Sequence, residues 1–406
     1  MRAPEIRLDL EALKANFEWL SRSPDPARAH LPLMPVVKAD AYGHGAVIIA
    51  RCLESAFDEK RMPFLCVARW SEAEELRKAG VRRSILVLSQ FSSEEISSKP
   101  LADISLLVAT PQDLKILEKI GASARAALRG VHVHFNTGMN RLGFPHAILN
   151  AELEAVLSSL VEMSLKIEGF STHLARSEED PEVFTETQVA RFDAVLATVD
   201  SVWKKSWGAF PALVHAANSA GLLRRLGSRM TAGRPGLFLW GVHQDTETLQ
   251  RLGKEFPDLK LRPVLGMRCS LREVFWVEKG EGVSYGHRYV APSRRLVGIL
   301  NFGYADGLAR SLSREDGDPA PLKFWIEGEA APILGTVTMD MVLVDLTDHS
   351  RGAQILAKMH SSESVIWAEW IGGAQPVELH ASALGTISYE ILCDLSRRVK
   401  REPLDA

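Results

Sequence analysis

Cysteine is scarce in this chain. Its 406 residues hold four, Cys52, Cys66, Cys269 and Cys393, scattered and without a C-x-x-C pair. A disulfide framework and a zinc site are therefore both poor readings; no metal is expected, and a reducing compartment is the simpler setting. Long apolar runs are also missing: no stretch stays apolar for the eighteen or so residues a membrane helix needs. The opening residues, MRAPEIRLDLEALKANF, carry charge throughout and contain no apolar h-region. No signal peptide is expected, and the expected location is cytoplasmic. Nor is there an excess of charge of one sign. With 48 Lys and Arg against 51 Asp and Glu, the net charge of −3 makes no electrostatic case for nucleic acid or an anionic membrane.

What is present is the composition of an ordinary globular protein, 46% hydrophobic and 24% charged. The length is too great for one ordinary core and points to two domains, or to a large barrel followed by a second domain. The first part alternates short apolar runs with helical patterns. The runs are 33–38, 64–68, 85–89, 105–109, 131–135, 165–172, 213–217 and 228–232, the last weakened by Arg229. Between them lie helical patterns at 71–79, 111–120, 147–160 and 184–203. Ser71 and Thr110 read as capping residues, with Pro111 at a first helical position. Alternation of this kind means parallel strands joined by crossover helices, and eight units predict a (β/α)8 TIM-like barrel over 1–245. From 246 to 406 the texture changes. Runs at 262–277, 295–301, 322–326, 331–334 and 341–345 are β-like, and the one long amphipathic helical pattern is at 387–397. The class is α/β, with a mainly β C-terminal domain. Residues 92–100 and 315–321 read as polar loops.

In such a barrel the chemistry sits at the C-terminal ends of the strands. There the sequence places Lys38, then Asn136-Thr-Gly-Met-Asn-Arg141, His173, Asn218-Ser219, and Arg234-Pro-Gly236-Leu237. A lysine in a barrel mouth loses solvation, which favours its neutral, nucleophilic amine and suits a Schiff base. The same lysine also reads as one snorkelling from a strand end. Loops after strands 7 and 8 commonly bind phosphate through backbone N–H groups, although NSAG and RPG alone are ordinary loops. Together with Lys38 they point to a phosphorylated aldehyde cofactor. Arg234 reads either as an ion-pair partner or as a group facing the pyridine nitrogen of that cofactor. His173 reads as a structural histidine or as a member of the cofactor layer. Arg141 could hold a carboxylate or form a surface ion pair.

These residues lie within longer strings. VVKADAYGHG (Val36–Gly45) resembles the pyridoxal-phosphate attachment motif of the alanine racemase family. EIRLDLEALKANF, NTGMNRLGF, STHLA, HAANSAG, RPGLFLWG, GVSYGHRY, NFGYADGLAR, GTVTMDMVLVD and GTISYEILCDLSRRV follow the family in order, from Glu5 to Val399. The resemblance implies an isomerase that interconverts L- and D-alanine on pyridoxal 5'-phosphate and supplies D-alanine for peptidoglycan. Lys38 would carry the cofactor and act as one base. Tyr285 would act as the other, in the active site of the partner in a homodimer. Tyr42, Ser219, Gly236, Leu237 and Tyr389 would hold the phosphate, with Asn218 nearby. Arg234 would meet the pyridine nitrogen, supported by His173. Arg141 and Met339 would contact substrate, and Tyr304 and Arg310 would line the access channel.

The chain departs from the family at several positions. His134 stands where many members have a lysine that can be carbamylated to brace Arg141. Asn136 replaces an aspartate, Arg176 a small residue and Trp240 a tyrosine. These put channel shape and rate in question more than reaction class. A broad-specificity amino-acid racemase, a related amino-acid decarboxylase, a non-catalytic cofactor carrier and a scaffold with a decayed site are the competing readings. The decarboxylase should lack the tyrosine of VSYG, the carrier should lack the β-rich region, and every expected catalytic position is filled.

Overall fold

A computed structural model describes residues 2–22, 30–179, 183–207, 210–211, 213–224, 229–315, 320–361 and 365–404. The chain divides into two compact units, 14–41 with 45–239, and 1–13 with 42–44 and 240–406.

The first unit is the parallel barrel. Strands Leu65–Arg69, Ile85–Gln90, Ile104–Val108, Gly130–Asn136, Ile167–Ser171 and Leu213–His215 pair in that order, each parallel to the last. Ile104–Val108, Gly130–Asn136 and Ile167–Ser171 are buried along nearly their whole length, as a sheet covered on both faces requires, while Leu65–Arg69 and Ile85–Gln90 emerge at their C-terminal ends. The expected first strand at 33–38 is thinner than its sequence implies. Only isolated bridges form, from Leu33 to Gly233 and from Val36 to Cys66. Pro32 and Pro35 bring no N–H to a ladder, so the segment pairs mainly through its other residues. The expected eighth strand at 228–232 is likewise reduced. Residue 228 lies outside the described residues, Ala232 bridges His215, and Gly233 meets Leu33. These bridges complete the ring.

Helices lie between the strands, with some boundaries moved. Thr110 caps Pro111–Lys119 as expected, its hydroxyl accepting from the Asp113 N–H. Ser71 does not cap: it lies inside Trp70–Lys78, and the Glu72 carboxylate takes up the Ala68 and Arg69 N–H groups instead. The expected loop at 92–100 contains a helix, Ser93–Ser98, capped by Ser92. Residues 147–149 precede the helix Asn150–Glu162, and the next runs over Phe184–Ser206.

The second unit is built on an eight-stranded sheet. The 13-residue strand Leu265–Val277 organises it. One half of this strand pairs with Trp367–Ile371 and with Glu5–Leu8, the other half with Arg295–Leu300. Val342–Asp345, Glu329–Leu334 and Lys323–Ile326 complete the circuit back to Trp367–Ile371. The N-terminal strand Glu5–Leu8 also runs parallel to Lys400–Pro403. Phe302, Phe324 and Trp370 form an aromatic core, with Phe324 and Trp370 centred 4.5 Å apart. Helices Thr246–Glu255, Gly352–Ser361 and Val377–Leu384 are additions to the β-rich expectation, and the helical pattern at 387–397 shortens to Ser388–Cys393. Among the described residues no helix is long and apolar enough to cross a membrane.

Candidate active site

Lys38 ends the first barrel segment and opens an unusual turn. Ala39, Asp40, Ala41 and Tyr42 all have φ between 52° and 55°, a left-handed helical turn made without glycine. Such backbone costs about 1–2 kcal/mol per residue and persists only when its surroundings hold it. The Ala39 N–H donates to the Glu72 carboxylate at 2.7 Å. The Asp40 carboxylate accepts from the Ala46 N–H at 2.8 Å, and the Ala41 N–H donates to the Val37 carbonyl at 2.9 Å. The turn sets the backbone from which the Lys38 side chain departs.

Arg234 lies deep in the same unit, 5% exposed. Its guanidinium donates to the carbonyls of Thr172 (2.7 Å), His215 (2.8 Å) and Ala216 (3.3 Å), and to Nδ1 of His173 (3.3 Å) and of His215. Among the described residues it has no carboxylate partner. Burial pulls its pKa down to about 10, which leaves it a cation at neutral pH. Burial first, and then the charges of Arg234, Arg141, His134 and Lys38, hold His173 far below the ordinary imidazole range. Lys38, Arg141, His173 and Arg234 thus share one electrostatic neighbourhood at the strand ends.

The loop after Gly130–Asn136 is locked by Asn136. Its side-chain oxygen accepts from the Gly138 and Asn140 N–H groups at 3.0 Å, and its amide donates to the Asn140 side chain. Arg141, at the end of this loop, is exposed and has no ion-pair partner among the described residues. His134 is buried and bonds through Nδ1 to the Ser171 hydroxyl at 2.9 Å. Burial, with Arg234 and Arg141 adding to it, pushes its pKa down to about 3. The residue in place of the carbamylatable lysine is therefore a neutral ring tied to Ser171. Arg176 pairs with Glu179 on the surface.

After the strand at 213–215, Asn218 caps the short helix Ser219–Leu223, accepting from the Gly221 N–H. The Ser219 hydroxyl accepts from the N–H groups of Gly236 (2.9 Å) and Phe238 (3.3 Å), which gathers the two phosphate-loop candidates in one place. Leu237 begins the 3-10 turn Leu237–Trp240.

In the second unit, Tyr42 and Tyr389 lie with ring centroids 5.8 Å apart, and Trp240 packs on Tyr42 and His44. Tyr285 stands at the tip of a small hairpin whose strands, Gly282–Val283 and Tyr289–Val290, pair antiparallel. The hairpin is rooted in a cluster of Val277, Val283, Tyr289, Ala291, Val297 and Leu334. Thr336 donates its hydroxyl to the Tyr285 carbonyl, and Ser284 donates to the Thr336 carbonyl, both at 2.8 Å. The backbone is pinned while the phenol is 75% exposed. Met339 is 52% exposed, and its carbonyl accepts from the Ala305 N–H beside Tyr304. Arg310 opens a short turn, Arg310–Leu312.

The residues of the barrel unit fit a pyridoxal-phosphate ring. A buried cation without a carboxylate is aimed among imidazoles near a lysine, and a serine and glycine meet at a helix start. Sequence reasoning missed Glu72, whose carboxylate serves a turn 33 residues away, and also Thr172 and His215, although these lie in STHLA and HAANSAG.

Comparisons with known proteins agree along the whole chain. The family model described as "Alanine racemase, N-terminal domain" matches residues 8–244, and "Alanine racemase, C-terminal domain" matches 264–403. An alanine racemase of Sorangium cellulosum is 34% identical, covering 99% of both chains. The crystal structure of the Bacillus anthracis alanine racemase with bound L-Ala-P superposes with a TM-score of 0.81 at 28% identity, over 100% of this chain and 96% of that one. That of Bartonella henselae, with covalently bound pyridoxal phosphate, gives 0.76 at 25% identity over 100% of both.

Proposed function

The chain belongs to the alanine racemase family, and we propose that it interconverts L- and D-alanine with Lys38 and Tyr285 as bases on opposite faces of one carbon. It is an isomerase of a pyridoxal-phosphate-dependent family. Bound cofactor supplies an electron sink that acidifies the Cα–H of the attached amino acid. The chain supplies the rest. Tyr285, reaching in from the second protomer of a homodimer, removes the Cα proton of L-alanine as the phenolate and becomes the phenol. Lys38, as the ammonium, delivers a proton to the other face and becomes the amine, and the D-to-L direction runs the reverse. Inversion needs both groups, because one base on one face returns the proton where it was taken. Phenols ordinarily titrate near pH 10, so this hydroxyl needs neighbours from its working site to serve as a base. Arg141 and the backbone at Met339 hold the substrate carboxylate. Tyr42, Ser219, Gly236, Leu237 and Tyr389, with Asn218 behind them, hold the phosphate.

The observation that supports this best is Arg234. A guanidinium can only donate. Facing a pyridine nitrogen, it would give a hydrogen bond but no proton, and would so limit how strongly the bound ring withdraws charge. That favours return of the proton to Cα over its misdelivery. His173, neutral and accepting from Arg234, keeps the guanidinium plane in place. In the cell the enzyme works in the cytoplasm, providing D-alanine for peptidoglycan.

Borohydride treatment of the purified yellow protein, followed by peptide mapping, is expected to fix cofactor on Lys38. Tyr285→Phe is expected to keep the cofactor and lose at least about a hundredfold of racemisation, the usual scale for removing an acid–base group, most strongly from L-alanine. A colourless protein that takes up no pyridoxal phosphate, or a fully active Tyr285→Phe enzyme, refutes the assignment.

A further inference from the structure

Behind Arg234 runs a buried file of imidazoles that the racemisation chemistry does not itself call for. His215 and His132 are both completely buried. Nε2 of His215 meets Nδ1 of His132 at 2.8 Å, with ring centroids 5.0 Å apart. Nδ1 of His215 meets the Arg234 guanidinium. Nε2 of His132 has no hydrogen-bond partner among the described residues; the Phe64 ring stands against this imidazole at 89°, 5.2 Å between centroids.

Proton placement along this file follows from the arginine. Its guanidinium only donates, so His215 accepts at Nδ1. A neutral ring accepting at Nδ1 carries its proton on Nε2, and His215 therefore donates to His132 Nδ1. His132 in turn carries its proton on Nε2. Burial and the nearby cations keep both rings neutral, His132 down to about 3 and His215 well below the ordinary range. The file thus ends on a buried N–H with no partner, which costs stability. An apolar residue at 132 would only move the unpaired N–H back to His215, next to Arg234, so the imidazole at 132 carries that cost one ring away from the arginine.

The barrel also makes room for it. Gly169 is the register partner of His132 in the neighbouring strand. A Cβ on Gly169 would come within 2.7 Å of His132 Nδ1 and 2.6 Å of the Leu213 carbonyl.

We propose that His132 is a positioning residue for Arg234, acting through His215 to hold the arginine's donor N–H groups in register for the cofactor's ring nitrogen. Without an acceptor at 132, the Nε2–H of His215 is buried and unpaired. The other tautomer of His215 then competes, and it turns a second donor towards Arg234. With His132 in place, one tautomer satisfies His215 and the arginine together. The inference rests on the reading of Arg234 as the pyridine partner.

The test separates the two. In protein labelled with 15N-histidine, free of cofactor, His215 and His132 are expected as neutral Nε2–H tautomers from pH 6 to 9. In His132→Leu the His215 resonances are expected to shift towards the Nδ1–H form. In the holoenzyme, transamination events per racemisation turnover are expected to rise about tenfold, the scale on which partners behind a reacting site act. His132→Asn, which returns an acceptor oxygen, is expected to restore both readouts. A wild-type His215 that is Nδ1–H or cationic overturns the proposal, as does a folded His132→Leu protein with unchanged His215 signals. If His132→Leu does not fold, the wild-type tautomers and His132→Asn decide. A tautomer shift with an unchanged transamination ratio supports the file and counts against Arg234 as the pyridine partner.

Discussion

At the scale of single residues, this protein holds several imidazoles largely out of water. His132, His134, His173 and His215 in the barrel unit, and His380 in the other, are all held below the ordinary range, with burial the first cause in every case. His132 and His134 fall to about 3 and His380 to about 4. The unfolded chain takes up these protons near pH 6.5; the folded chain refuses them until the pH is far lower. Between those limits unfolding binds protons, so stability must fall as the pH falls. Each group contributes a slope of about 1.4 kcal/mol per pH unit over its window. Urea midpoints measured at pH 8 and pH 5 should therefore differ strongly, with the acid value lower. Equal midpoints would show that these rings are not neutral in the folded chain. The departure at His134 belongs to the same scale. A neutral ring bonded to Ser171 cannot supply the negative brace a carbamate would offer Arg141, so on the proposed assignment substrate carboxylate and cofactor would orient that arginine themselves.

At the scale of elements, the proposed function rests on two short pieces of backbone that regular structure does not provide. One is the left-handed turn after Lys38, held by the carboxylates of Glu72 and Asp40. The other is the loop from Asn136 to Arg141, which Asn136 ties from within and Gly143 closes. Gly143 has φ 123°, and a Cβ there would lie 2.3 Å from the Asn136 N and 2.5 Å from the Phe135 carbonyl carbon. Gly143→Ala must therefore push the loop away from its strand. The alanine KM is expected to rise by about tenfold to a hundredfold, since small misplacements of a positioning group carry such costs, while cofactor content stays at wild-type level. Unchanged KM would mean that Arg141 does not need this loop geometry. Much of this was legible in advance. The strand ends carrying Lys38, Arg141, His173, Ser219 and Arg234 could be read from apolar runs ending in polar strings. The left-handed turn could not, because alanine and tyrosine carry no signal for positive φ and the groups that hold it include Glu72, 33 residues from Ala39. The cap at Trp70 was misread for a similar reason: Ser71 has the right chemistry, but the Glu72 carboxylate already satisfies the free N–H groups.

At the scale of the whole molecule, the proposed division of labour between protomers makes a mixing experiment decisive. Lys38→Ala and Tyr285→Phe proteins are each expected to be inactive. Mixed under conditions that allow exchange, a hybrid pair would carry one intact Lys38 and one intact Tyr285 at a shared site. Random pairing would restore at most about a quarter of the sites. No recovery, with exchange confirmed by a tagged protomer, would rule out shared sites. The exposed phenol of Tyr285, on a paired hairpin whose backbone is held at the Tyr285 carbonyl, is the feature that makes the experiment worth doing.

Period and punctuation along the chain determined the alternating barrel and the β-rich region that follows it, because the barrel strands bury apolar runs of their own and helical patterns lie between them, one of them opened by the capping Thr110. Only the tertiary structure decided that Glu5–Leu8 joins the β-rich sheet, that the barrel ring is completed by bridges where prolines thin a strand, and that imidazoles far apart in sequence line up behind Arg234. Those outcomes depend on which strands become neighbours, and neighbours that come together across scores of residues leave no trace in local pattern.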